Sequence, residues 1–117
     1  MSQISIAEAD SLISKLISES IGVHALLSSA VGEARISGFV ERKTRQDGIV
    51  ISSSGAPTIV ERGYISVRPF DRRCEVWYGE KREIPPHLQH ISDAYGESVL
   101  ILGFPDSKEW LAIFFTL

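Results

Sequence analysis

The sequence predicts an α+β domain: an antiparallel, meander-like sheet of about six strands, with an N-terminal amphipathic helix and a short second helix packed on one face. Three observations carry that reading. Apolar residues recur at helical spacing at the start of the chain, the period falls to two from Ala34 onward, and the strand-like runs are joined by short turns. The 117 residues hold no internal repeat, low-complexity tract or linker, and residues 1–117 are read as a single domain.

The first helix begins at a capping box, in which Ser5 and Glu8 each satisfy a free backbone N–H. Ala9, Leu12, Ile13, Leu16, Ile17 and Ile21 then make one apolar stripe, while Asp10, Ser14, Lys15, Ser18 and Glu19 occupy the other side. Gly22 suits the left-handed residue that closes a helix. The run Val23 to Val31 leaves two readings open, a second short helix through His24-Ala25-Leu26-Leu27 or a buried connector. Gly32 ends it in either case.

From Ala34 to Thr44, Ile36, Gly38 and Val40 alternate with Arg35, Ser37, Phe39 and Glu41, the signature of a half-buried strand. Gln46-Asp47-Gly48 is a hairpin turn leading to a strand at Ile49-Val50-Ile51, and Ser54-Gly55-Ala56-Pro57 is the next turn. Thr58 to Val67 reads as a longer strand, Pro69 to Arg73 as a turn, and Cys74 to Tyr78 as a short strand. Four strands with such short links are expected to form a meander. Pro85-Pro86 opens the second helix, in which Leu88, Ile91 and Tyr95 share a face and Gly96 closes the end. Ser98 to Phe104 and Trp110 to Leu117 are strands joined by Pro105-Asp106-Ser107. Both are apolar on two faces, which fits either the middle of a sheet or a subunit contact. A symmetric homodimer would protect such a surface.

Composition narrows the setting. The chain is 44% hydrophobic and 23% charged, which is incompatible with intrinsic disorder. Cys74 is its one cysteine, so no intrachain disulfide forms, as expected in a reducing compartment. Met1 to Asp10 has neither the basic start nor the apolar run of a secretory signal, and no stretch has the apolar length of a membrane span. The expected location is the cytoplasm. Net charge is −3, yet residues 35–82 carry ten basic and six acidic side chains. Opposite charges interleave along that segment, as on the wet face of a sheet. Nucleic acid is a disfavoured partner, because the sequence pI of about 5.6 lies well below the basic range of such binders.

Four constellations of side chains bear on chemistry. His87, His90 and Asp93 recur every third residue on the second helix and make one polar arc. Zinc-binding helices more often space their histidines four apart, so a solvated face outweighs a metal site. Arg68, Arg72, Arg73, Lys81 and Arg82 gather beside Phe70, Trp77 and Tyr78 if Thr58–Arg68 pairs with Cys74–Tyr78. Arginine and aromatic side chains together are what protein interfaces use as anchors. Ser52-Ser53-Ser54-Gly55, with His24 or His90 as base, lacks the strand-to-helix elbow of a serine nucleophile. Cys74, at the start of a strand, reads as a small buried hydrophobe.

These readings lead to a non-enzymatic protein-interaction domain that binds a protein partner or itself. Its expected partner patch is Arg68, Phe70, Arg72, Arg73, Trp77 and Tyr78, with no catalytic residue, metal or cofactor assigned. The alternative is a small-ligand binder, or an enzyme, with a pocket between sheet and helix that uses His87, His90 and Asp93. In size and acidity the chain resembles small partner-binding proteins such as bacterial immunity proteins and secretion chaperones. That resemblance is of class and carries no motif.

Overall fold

A computed structural model of the chain describes residues 1–42, 49–53, 64–67, 74–84, 86 and 96–117. Helix α1 spans Ile6–Ser18. Its capping box forms as the sequence predicts: the Glu8 backbone N–H donates to Ser5 Oγ at 3.1 Å, and the Ser5 N–H donates to Glu8 Oε1 at 3.4 Å. The helix closes two residues earlier than expected. Ser20, at φ 50°, takes the left-handed position in place of Gly22. The Ile21 N–H then reaches back to the Leu16 carbonyl at 3.0 Å and the Ser20 N–H to that of Ile17 at 3.2 Å. This is the Schellman closure, which satisfies carbonyls the last turn would otherwise strand.

Eight strands among the described residues form one antiparallel sheet. They are β1 (Ser2–Ile4), β2 (Val23–Ser29), β3 (Gly32–Arg42), β4 (Ile49–Ser53), β5 (Tyr64–Val67), β6 (Glu75–Glu80), β7 (Ser98–Phe104) and β8 (Glu109–Phe115). Their spatial order is β1-β6-β7-β8-β2-β3-β4-β5, and every neighbouring pair is antiparallel. The α+β class and the antiparallel sheet therefore hold, while the strand count exceeds the expected six. One added strand is β1, which is too short to show a period. The other is β2, built from the segment that had read as a helix or a connector. Helical spacing cannot be told from a strand buried on both faces when the run is this short.

The topology is two meanders joined at a seam. Strands β2 to β5 follow one another, as do β6 to β8, and β8 pairs with β2 from His24↔Phe114 to Ser28↔Trp110. Of the segment Thr58–Arg68, whose pairing with Cys74–Tyr78 would have gathered the arginines, Tyr64–Val67 is described and does not pair with β6. Strand β5 pairs with β4 at one edge of the sheet, whereas β6 lies between β1 and β7. The second helix was placed at and beyond Pro85, and residues 85 and 87–95 lie outside the described residues. A single 3-10 turn, Lys81–Glu83, follows β6.

Side chains on the two faces of the sheet feed two cores. Ala25, Leu100, Leu102, Leu111, Ile113 and Phe115 point to the inner face, where Ala9, Ile13 and Leu16 of α1 pack on them. Leu26, Val99, Ile101, Ala112 and Phe114 point to the outer face and cluster with Ile84, Met1, Trp77 and Trp110. Because β7 and β8 supply both cores, they read as continuous apolar runs instead of alternating. Residues 111–115 are all at most 1% exposed. The apolar C-terminal strand, offered above as a reason to dimerise, thus has both edges paired and both faces covered within one chain.

On the inner face Arg42 of β3 clamps the helix. Its guanidinium pairs with Asp10 Oδ1 at 2.8 Å and donates to Ser14 Oγ at 2.6 Å and to the Asp10 carbonyl at 3.3 Å.

Candidate functional site

The outer face carries a cleft of about 520 Å³ at the end of the sheet where β7 turns into β8. Its construction follows from strand register. Glu75 of β6, Gly103 of β7 and Trp110 of β8 lie side by side in one cross-strand row, through the pairs Glu75↔Gly103 and Gly103↔Trp110. Trp77 stands two residues along β6 from Glu75 and therefore on the same face. Glycine at position 103 leaves the floor open between the two indoles. A methyl group there would come within 3.3 Å of Trp77 Cζ3 and 3.7 Å of the Glu75 carbonyl. Any larger residue would fill the floor.

Both tryptophans are half-buried against the outer core, so each ring is braced from below and keeps part of its surface wet. The walls are completed by Met1 and the turn after Phe104. The charged side chains among its lining residues are Glu75, Lys108 and Glu109, the last leaving β8 on the face opposite Trp110, and Met1 adds the chain's ammonium. Lys108 holds the left-handed conformation that closes the β7–β8 turn, at φ 57°. Glu75, Lys108 and Glu109 form no ion pair or side-chain hydrogen bond among the described residues.

Next to this cleft, Glu83 fastens the start of β1 to the end of β6. Its carboxylate lies 3.4 Å from the Met1 ammonium and accepts the Glu80 backbone N–H at 2.8 Å. The Glu80 hydrogen bond, followed by the one from the chain's first amino group, holds its pKa below the usual carboxylate range.

A second cleft of about 380 Å³ lies at the opposite end of β8, beside His24, Ser37, Phe39 and Phe114. His24 and Ser37 face each other across β2 and β3, with Nδ1 2.7 Å from Oγ. The serine hydroxyl within hydrogen-bond reach of this imidazole among the described residues is thus that of Ser37. Ser37 sits within a paired strand, without the exposed elbow of a nucleophile.

Of the residues expected in the partner patch, Arg68, Phe70, Arg72 and Arg73 lie outside the described residues. Trp77 and Tyr78 are described and leave β6 on opposite faces. Trp77 lines the larger cleft, whereas Tyr78 packs on the inner core and stacks on Phe115 with ring centroids 6.2 Å apart. Cys74 is buried, as expected of a structural cysteine. His87, His90 and Asp93, the alternative site, also lie outside the described residues. Neither cleft is lined by a residue of α1, whose apolar stripe is filled by the sheet. Among the described residues no three His, Cys, Asp or Glu side chains come together as a metal site would need, and no helix is long and apolar enough to cross a membrane.

Trp110 was missed as a site residue because it opens the apolar run from Trp110 to Leu117 and read as core. Only the register of β6, β7 and β8 brings it beside Trp77. Compared with protein-family models, with curated proteins and with solved structures, the chain matches none.

Proposed function

We propose that this chain is a non-enzymatic interaction domain that recognises a protein partner through the Trp77–Trp110 cleft. The observation supporting this reading is the pair of half-buried indoles on either side of an unfilled glycine floor. Tryptophan is among the residues that dominate binding energy at interfaces, especially where it lines a desolvated pocket. A cleft of about 520 Å³ is ample for one large partner side chain. Its indoles are held by strands, so little rotamer freedom is lost on binding. A partner chain is favoured over a second copy of this one, since β8 is already covered within the monomer. Function in the cytoplasm suits a sequence whose one cysteine, Cys74, is buried and can form no intrachain disulfide.

The test replaces Trp110 with a photo-crosslinking amino acid in the protein's own cells, with Leu117, 55% exposed and beyond the opposite end of β8, as the control position. A discrete adduct of protein mass at position 110 and not at 117 is expected. The crosslinked partner, once purified, should lose at least about tenfold in affinity for a Trp77→Ala variant, as hot-spot residues do. Equal crosslinking at both positions, or an affinity indifferent to Trp77, sinks the proposal.

A further inference from the structure

We infer that the partner side chain taken by this cleft is cationic, and specifically an arginine guanidinium; the inference rests on the cleft being the recognition site. Three features converge on it. The indole rings of Trp77 and Trp110 flank the floor, and the electron-rich face of indole is the best side-chain surface for a cation. Glu75 lies in the same row as Gly103 and Trp110 and on the same face as Trp77, so its carboxylate stands at the mouth of the groove the rings define. That carboxylate is exposed and carries no ion pair or side-chain hydrogen bond among the described residues.

The alternatives fare worse on the same observations. A neutral apolar side chain would cover Glu75 and strip water from its carboxylate with nothing in return. An anion would meet that carboxylate in the row of the two indoles, whereas Lys108, a long exposed side chain in the turn, can swing away. Guanidinium also fits the shape. It is flat enough to lie on an indole while its edge donates two parallel hydrogen bonds to one carboxylate, which a lysine ammonium cannot do.

The experiment titrates the intact protein with N-acetyl-arginine methylamide and with the citrulline analogue, which has the same shape and no charge. Binding is read from the two indole N–H resonances and tryptophan emission. Arginine should bind with a millimolar constant and citrulline about fivefold or more weakly, the range set by an exposed cation–π contact with one assisting carboxylate. Glu75→Gln should bring arginine down towards the citrulline value, and Lys108→Gln should tighten arginine about twofold. Equal binding of the two probes, or indifference to Glu75→Gln in a variant with wild-type circular dichroism, overturns the inference. If a neutral aromatic probe such as N-acetyl-phenylalanine methylamide shifts the indole signals while arginine does not, the cleft remains a recognition site and the cationic assignment alone falls. If no probe shifts them at concentrations on the order of tens of millimolar, both fall together.

Discussion

Three glycines separate backbone strain from steric overlap, and alanine at each should give a different cost. Gly32, at φ 135°, turns β2 into β3, and an added methyl there meets nothing within 4 Å. Gly32→Ala therefore costs only the strain of an L-residue in a disfavoured conformation, about 1 to 3 kcal/mol. Gly96, at φ 105°, carries the same kind of strain, but its methyl would lie 2.5 Å from Phe115 N, 2.8 Å from Phe115 Cα and 2.9 Å from the Phe114 carbonyl carbon. Those atoms belong to β8, which is paired on both edges, so they cannot retreat. Overpacking of this kind adds about 1 to 3 kcal/mol and takes Gly96→Ala to roughly 2 to 6 kcal/mol. Gly103 escapes the strain and meets a milder overlap, with a side chain instead of backbone. Its methyl meets the end of the Trp77 ring at 3.3 Å, and that ring can tilt into the open cleft. Alanine also restricts the unfolded chain, so Gly103→Ala should stay within about 1 kcal/mol of wild type. A domain of this size is stable by only about 5 to 15 kcal/mol, so the Gly96 loss is a large fraction. Urea unfolding followed by far-ultraviolet circular dichroism measures all three, with shifts in midpoint at constant m. Were Gly96→Ala to cost no more than Gly32→Ala, the approach of residue 96 to β8, and with it the placement of β8, would be wrong.

Further expectations concern the helix, its clamp and the N-terminal strand. Ser20→Gly should stabilise the domain by about 0.5 to 1 kcal/mol, because glycine relieves the left-handed residue while giving back part of the gain as entropy; a lower urea midpoint would contradict the Schellman closure. Asp10→Asn should cost no more than about 1 kcal/mol, since the pair with Arg42 is half-exposed, and added salt should shrink the difference. Ile13→Ala, which opens a hole between α1 and the sheet, should cost about 2 to 5 kcal/mol in the same assay. The lowered pKa of Glu83 means the folded state binds its proton less readily than the unfolded chain. Its contribution is fully present above the ordinary glutamate pKa and is lost as pH falls through the lower folded value. Glu83→Gln should therefore flatten acid unfolding on that side, and an unchanged acid limb would refute the role.

The legible parts of this fold are those whose cause is local. The Ser5–Glu8 box and the stripe from Ala9 to Leu16 need only neighbours three and four residues away, and α1 starts where they place it. The strand from Ser98 to Phe104 is found to the residue, and its partner at 109–115 within a residue or two. What could not be read has its cause far along the chain. Residues Ser2 to Ile4 are extended because β6 pairs with them, and Val23 to Ser29 because β3 and β8 hold them on either side. The site follows the same division. Trp77 stood out as an aromatic within the arginine-bearing segment from Arg68 to Arg82, but its separation from Tyr78 by the sheet, and its meeting with Trp110, depend on register. Strand alternation alone puts adjacent residues on opposite faces, so a patch holding both Trp77 and Tyr78 asks for more than one sheet surface.

The seam between β8 and β2 also governs how the chain reaches this state. Each meander closes through links far shorter than the one the seam must close, and can zip up earlier, whereas the seam joins residues towards opposite ends of the sequence and must close a loop spanning most of the chain. Until it closes, β2 and β8 are two bare edges, with Leu26, Leu27, Ala112 and Ile113 laid along them. That half-assembled species is the one most exposed to intermolecular strand pairing. Slowing the seam should thus raise aggregation during refolding more than an equal loss of stability elsewhere. Light scattering of refolding Ala112→Gly and Ile13→Ala variants, compared at matched stability, tells the two apart.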